Sequence, residues 1–328
     1  MTSITSHDAN WSVGVAGPTF LDIVMCGLEH PPCPGEEQWV SDCRVMPGGA
    51  ANQAVASARL GMPVSLITYL GNDLTGTWVR DMLRNEHVDL TNTATTERQN
   101  ITVAQMFEGD RAFTSFGTDT VPAPPADMAA PKFLLCSLDF LRDNRRQVQT
   151  WREQGTLVIT DVGWDSSENW NLEDLEPLSD ADIFVPNHIE ACNYAHSHNL
   201  NDAGETLLHY VDNTVITCGE KGIYIASRTD TSLNGVSLPS LPTEVIDTTG
   251  AGDSFSAGLV AGLASGTDVL NALQFGQCVA AWTVNQIGGS GASPTPSDLK
   301  TWSQNRADIK QIIDPILANL ITQQTRNN

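Results

Sequence analysis

The sequence predicts an α/β fold, a parallel sheet with helices on both faces. Two observations carry this. Short apolar runs alternate with longer runs of helical spacing over most of the chain, the pattern of strands joined by crossover helices. Polar and glycine-rich clusters follow many of the apolar runs, where open sheets of this kind hold ligands.

The elements follow in order. Val13 to Val15 open the first strand, which ends at Gly17-Pro18-Thr19. A Pro- and Gly-rich segment, Pro31 to Gly35, leads into Glu37 to Val45, which alternates as a half-buried strand. Ala50 to Leu60 is a small-residue helix stopped at Gly61. Val64 to Leu70 reads as one buried strand. Thr75 to Glu86 has helical spacing, with Trp78, Val79, Met82 and Leu83 on one face. Ile101 to Phe107 and Arg111 to Phe116 read as a hairpin turning at Glu108-Gly109-Asp110, which interrupts the alternation. Strands at Phe133 to Cys136, Leu157 to Thr160, Ile183 to Val185, Val215 to Thr217 and Ile223 to Ala226 follow. Helices are expected at 142–154, 188–197, 202–211, 251–265, 268–287 and about 308–323. Leu241 to Ile246 is strand-like.

Composition narrows the function classes. The chain has 328 residues, is 41% hydrophobic and carries a net charge of −22 from 17 basic and 39 acidic residues. Such a surface repels nucleic acid and anionic lipid, so neither is expected as a partner. Seven cysteines contain no C-x-x-C pair, which leaves out zinc-ribbon and thioredoxin-like motifs. The polar start, Met1 to Asn10, lacks a basic segment followed by an apolar one. No apolar run reaches the roughly 18 residues of a membrane span. A cytoplasmic enzyme is the expectation.

The chemistry concentrates in Asp247-Thr248-Thr249-Gly250-Ala251-Gly252-Asp253. Two glycines at a turn into a helix let the backbone approach a ligand, and the first helical N–H groups lack internal partners and can face an anion. Asp253 beside that cradle is placed to accept a proton from a hydroxyl. The pairing suggests transfer of a phosphoryl group to an alcohol. A second cluster, Pro47-Gly48-Gly49-Ala50-Ala51-Asn52-Gln53, sets two glycines before a helix and an amide in its first turns. There is no Gly-x-x-x-x-Gly-Lys-[Ser/Thr] and no strand–Gly-x-Gly-x-x-Gly–helix unit near the start, which disfavours a Walker-type loop and a nicotinamide site. Cys192, His196 and His198 lack a second ligand cluster and read as ordinary helix positions. Trp164 and Trp282 read as core.

From about residue 12 to 298 the chain resembles the ribokinase-like (PfkB) carbohydrate kinases. The motif Asp247 to Asp253 with Ser254-Phe255-Ser256-Ala257-Gly258 carries most of the resemblance. The Gly48-Gly49 cluster, Asn187-His188-Ile189-Glu190 and Thr217-Cys218-Gly219-Glu220-Lys221-Gly222 add to it. It implies a three-layer α/β/α sandwich, a single kinase domain over 1–328, and a small β-sheet lid with strands at about 23–46 and 92–120. It also implies roles. Asp253 would be the general base, with the amides of Gly250, Ala251 and Gly252 as anion hole. Asp22, Gly48, Gly49, Asn52 and, more weakly matched, Asp139 would contact the sugar. Asn187 and Glu190 would order Mg²⁺ through water. Thr217, Gly219 and Gly222 would lie on the ATP side. Asp247, Thr249 and the loop Gly289 to Ser293 would suit a monovalent cation such as K⁺. A homodimer through the lid is implied as well.

Two departures bear on the acceptor. Ribokinases proper carry Gly-Gly-Lys-Gly-Ala-Asn, whereas only Ala50-Ala51 separates Gly49 from Asn52 here. The chain has only four lysines, Lys132, Lys221, Lys300 and Lys310, so a second phosphate on the acceptor has few partners; Arg111 is the exception to weigh. An unphosphorylated sugar is the expected acceptor. A nucleoside kinase on the same scaffold, or a sugar- or nucleotide-binding sensor without turnover, are the alternatives.

Overall fold

The computed structural model describes residues 12–107, 110–163 and 168–327. Its strands are β1 (Val13–Ala16), β2 (Thr19–Cys26), β3 (Asp42–Gly49), β4 (Val64–Ile67), β5 (Tyr69–Gly71), β6 (Ala94–Thr96), β7 (Asn100–Phe107), β8 (Asp110–Phe116), β9 (Phe133–Ser137), β10 (Leu157–Asp161), β11 (Ile183–Phe184), β12 (Asn213–Thr217), β13 (Ile223–Ser227) and β14 (Val236–Leu238). Its α-helices are α1 (Ala50–Arg59), α2 (Leu74–Asn85), α3 (Leu138–Asp143), α4 (Arg145–Glu153), α5 (His188–Tyr194), α6 (Leu200–Leu207), α7 (Ala251–Ala264), α8 (Val269–Thr283), α9 (Pro296–Ser303) and α10 (Ala307–Asn327).

The main sheet has eight strands in the order β14-β13-β12-β11-β10-β9-β1-β4. It is parallel from β4 to β12 and antiparallel over β13 and β14. Successive residues on a strand point to opposite faces, and the core divides accordingly. Leu135 and Val215 belong to a cluster with α1, α7 and α8, while Leu134 and Ile216 belong to one with α3 to α6. The result is the expected three-layer α/β/α sandwich.

Helices α7 and α8 meet at unusually short range. A Cβ on Gly258 would stand 2.8 Å from the Gly276 Cα, and one on Gly262 would stand 2.6 Å from the Ala272 Cα. Every residue from Ser254 to Gly262 is buried, so α7 is enclosed on all sides, as helices apolar all round are.

A second sheet has the order β3-β2-β7-β8. Strand β2 pairs antiparallel with β3 and parallel with β7, and β7 and β8 form the expected hairpin. Residues 108 and 109 of its turn lie outside the described residues. The sheet starts earlier than 23, at Thr19, and its second half starts at Asn100 rather than 92, because Ala94–Thr96 pairs with β5 instead.

Other boundaries also differ from expectation. The strand expected at Glu37 to Val45 begins at Asp42 and runs through the Gly48-Gly49 pair, with Pro47 tolerated on an edge strand. Val64 to Leu70 is two strands in two sheets, divided at Thr68. The helix at 142–154 is two, starting at a Ser137 cap whose Oγ accepts from Phe140 N–H. Leu241 to Ile246 forms no strand: Pro239 and Pro242 remove backbone donors, and Ile246 N–H instead reaches the Val284 carbonyl at 2.7 Å. Strand β14 and helix α9 were not expected. No described helix is long and apolar enough to cross a membrane.

Candidate active site

Helix α7 starts without a side-chain cap. Its N-cap is Gly250, at φ 69° and ψ 11°, a left-handed conformation that costs a residue with a side chain about 1–2 kcal/mol. Asp247 holds the turn before it: Oδ1 accepts from Thr249 N–H at 2.8 Å and Oδ2 from Gly288 N–H at 3.2 Å. Ala251 N–H makes only a long bond, 3.3 Å, to the Thr248 carbonyl. First-turn amides have no intrahelical acceptor and mark the positive end of the helix dipole. Gly252 is exposed, with no atom within 4 Å of where its Cβ would stand. A ligand therefore has close access to this stretch of backbone.

Asp253 is the third residue of α7, half-buried at the edge of a cavity of about 510 Å³. The cavity opens at the carboxyl ends of β1, β9 and β10, and Gly49, Asp139 and Asp161 share its wall with Asp253. Burial pushes the Asp253 carboxyl up to about 7, aided by the charges of Asp161 and Asp22 and opposed by hydrogen bonds from Asn52 and Gln53. Asp161 is itself raised to about 6, chiefly by burial, against a hydrogen bond from Gln53. A carboxylate titrating near neutrality suits a general base at that pH.

Most of the expected acceptor residues come together here. Asn52 is buried in α1 and bonded to Asp253. Asp22 lies on β2, and its carboxylate fills the space a side chain on Gly48 would need. Gly49 takes φ 62°, and a Cβ there would meet the Pro18 carbonyl. Asp139, in the first turn of α3, lines the cavity while paired with Arg142 at 2.6 Å. Arg111 sits opposite Met106 in the strand register, with its side chain outside the described residues.

The remaining expected residues sit at neighbouring strand ends. Asn187 caps α5, accepting from Ile189 N–H at 2.9 Å and Glu190 N–H at 3.0 Å, and Glu190 Oε2 accepts from Asn187 N–H at 2.8 Å. Burial raises Glu190 to about 7, and the Asp161 charge adds to this. Asn187 forms a parallel bridge with Thr217, which ends β12. Beyond it, Gly219 and Gly222 both take positive φ, and a Cβ on Gly222 would meet the Leu238 carbonyl. These residues lie outside the cavity wall and continue the row of strand ends away from Asp253.

Thr249 and Gly289 are neighbours: a Cβ on Gly289 would stand 3.6 Å from the Thr249 carbonyl oxygen. Ser293 is already engaged, its hydroxyl with Ser254 at 2.7 Å and its carbonyl with Arg59 at 3.2 Å. Cys192, His196 and His198 form no ligand group among the described residues, whereas His30, Cys33 and Glu36 place ligand atoms within 4.8 Å of one another. That exposed trio is already satisfied, with His30 Nε2 3.2 Å from Glu36 and Nδ1 2.9 Å from the Pro31 carbonyl. Trp282 packs edge-on against Trp302, while Trp164 lies outside the described residues.

Residues 15–296 match the pfkB family carbohydrate kinases. The chain belongs to that family. It is therefore a kinase of the carbohydrate class, and the resemblance carried by its motifs holds. A ribokinase of Bacillus subtilis is 28% identical over 88% of this chain and 98% of its own length. One of Haemophilus influenzae is 28% identical over 80% of this chain and 89% of its own. Among solved structures, Arabidopsis thaliana ribokinase complexed with ribose and ATP superposes with a TM-score of 0.72 at 20% identity, covering 89% of this chain and 98% of that one. Salmonella enterica aminoimidazole riboside kinase gives 0.70 at 24% identity, covering 89% and 99%. These two likenesses bear on the fold alone.

Two residues given no role from the sequence also stand on this cavity wall, Gln53 and Asp161. Gln53 follows Asn52 directly. Asp161 closes β10, and an acid at the carboxyl end of a parallel strand is the signal that marks it.

Proposed function

We infer that this kinase phosphorylates a hydroxyl of a small unphosphorylated sugar with ATP, the whole chain 1–328 acting as one kinase domain. The observation that carries the reading is Asp253 on the cavity wall, hydrogen-bonded by Asn52 and set in the first turn of a helix that starts without a side-chain cap. Asp253 takes the proton of the acceptor hydroxyl. The amides of Gly250, Ala251 and Gly252 receive the charge that builds on the transferred phosphoryl group, a task of positioning and electrostatics. Asp22, Asn52, Asp139 and the backbone at Gly48 and Gly49 hold the remaining hydroxyls. Among the described residues Arg142 is the single cation on the cavity wall, and it is paired with Asp139, which supports an acceptor without a phosphate of its own. Thr217, Gly219 and Gly222 lie on the nucleotide side.

Glu190 and Asn187 fit an Mg²⁺ held through water, because the nearby Asp161 charge raises the proton affinity of Glu190 and a cation relieves that repulsion. When bound, Mg²⁺ neutralises the phosphates of ATP. For K⁺, the backbone around Asp247, Thr249 and Gly289 offers carbonyl oxygens, whereas the Arg59 guanidinium at the Ser293 carbonyl weighs against that residue. The small sheet serves as lid. Val45, Phe113 and Phe116, all exposed on it, favour a homodimer through the lid, which sedimentation tests. The net charge of −22 and the absence of a membrane-crossing helix among the described residues support a cytoplasmic protein without nucleic-acid or membrane partners.

A nucleoside acceptor is the second reading, favoured by the cavity's extension past Asp161 along Val162 and Gly163, which leaves length beyond a sugar for a base. ADP release with ATP and Mg²⁺ over D-ribose, D-fructose, other unphosphorylated sugars and nucleosides decides between them. Turnover of a sugar supports the first reading, turnover of nucleosides alone the second. Calorimetric binding with no ADP formed identifies a sensor and overturns both.

A further inference from the structure

Gln53 is 6% exposed, yet its side chain faces the cavity rather than the core. It lies on α1, whose position is fixed by packing against β1 and α7. Its Nε2 donates to Asp161 Oδ2, and on the same cavity wall its amide faces the Asp253 carboxylate, whose proton affinity it lowers by hydrogen bonding. A glutamine amide has two N–H donors and an ionised carboxylate has none, so both bonds come from the one NH₂ group. Asp161 is itself fixed, because β10 pairs with β9 through Asp161 and Ser137. A rotated amide would turn its carbonyl oxygen toward two carboxylates and lose both bonds. The strand-end acid thus dictates the orientation of the amide, and the amide dictates where the reacting carboxylate points.

We propose that Gln53 is a positioning residue for Asp253, held in register by Asp161, and that this pair fixes which direction the base faces and so which acceptor hydroxyl loses its proton. The proposal rests on the kinase reading above. The chain of contacts is β10 to α1 to α7, and it is independent of the hydroxyl-holding residues on the small sheet.

The experiment compares Asp161→Ala, Asp161→Asn, Gln53→Leu and the double variant Gln53→Leu/Asp161→Ala. Each is assayed with ATP, Mg²⁺ and D-ribose, D-fructose and adenosine as acceptors, with Asp253→Asn as the reference for lost base. Misplacing a reacting group by an ångström costs about 10²-fold. Asp161→Ala and Gln53→Leu should each lower kcat by about that factor, with KM for ATP unchanged. Asp161→Asn should recover most of the rate, since its Oδ1 still accepts from Gln53 Nε2. The double variant should be no slower than either single, because the two act as one unit. Wild-type kcat in Gln53→Leu, or single losses that multiply in the double variant, overturns the proposal while leaving the kinase reading intact. If Asp161→Ala does not fold, Asp161→Asn and Gln53→Leu still decide: a fall in Asp161→Asn equal to that in Gln53→Leu overturns it. Wild-type protein that turns over none of the acceptors overturns the kinase reading and the proposal with it.

Discussion

Helices α5 and α7 each carry an acid at the third position after the N-cap, Glu190 in one and Asp253 in the other. Their fates differ because of one residue. Asn187 caps α5 with its side chain, and Glu190 folds back to the Asn187 N–H, so the first-turn donors and the acid satisfy each other. Gly250 has no side chain to offer, so α7 keeps its donors and Asp253 is left to face the cavity. The same helix position becomes a closed structural cap in one place and an open corner on the cavity in the other. A missing side chain, rather than an added one, leaves that corner open.

The largest test of this contrast is Asp253→Asn. It should lower kcat by about 10²–10⁴-fold, the loss expected of a positioned base, with KM for ATP little changed in steady-state assays. Next is Gly250→Asn, which puts a polar side chain beside the first-turn amides of α7 on left-handed backbone. Asparagine accepts left-handed backbone better than most residues that carry a side chain, so the fold should persist. The new side chain competes for the amides, and kcat should fall by about 10²-fold, comparable to losing an oxyanion donor. Unchanged turnover would end the idea that the bare cap matters.

A third test reads the acid through pH. The Asp253 carboxyl is raised from 3.8 to about 7 in the fold. Its folded value lies above its unfolded one, so its contribution to stability is full below about pH 4 and is lost as pH rises through 7. Asp253→Asn should therefore melt above the parent at pH 8 and level with it at pH 4, by calorimetry. Turnover of the parent should run the opposite way, rising with pH through about 7, since the base acts ionised. The smallest effect is expected from Asn187→Ala, about 1 kcal/mol of lost capping. It should raise the Mg²⁺ concentration needed for half-maximal rate if Asn187 orders the ion, and Asn187→Gly should cost only a few tenths of a kcal/mol in denaturant titrations.

The layers, the hairpin and the glycine turn before α7 were legible in the sequence because each leaves a local mark: buried apolar runs, period-two alternation, and glycines before a helix. Asp253 and Asn52 were readable for the same reason. Boundaries were less so where long-range pairing decides. Nothing local in Val64 to Leu70 shows that Tyr69 will leave the main sheet to pair with Ala94. The prolines at 239 and 242, set against the apolar run that follows, were the signal against a strand there. The Thr295 capping box with Pro296 at the helix start marks α9 by spacing alone. The partnership of Gln53 with Asp161 joins residues far apart in the chain and becomes visible only once β10 and α1 are placed side by side.

The glycine seam between α7 and α8 has a mechanical consequence. With Gly258 and Gly262 pressed against the neighbouring backbone, α7 has no slack in which to slide or tilt. It behaves as the fixed jaw of a vice. Any closing stroke that shuts out water must then come from the opposite jaw, the four-stranded sheet that carries Asp22.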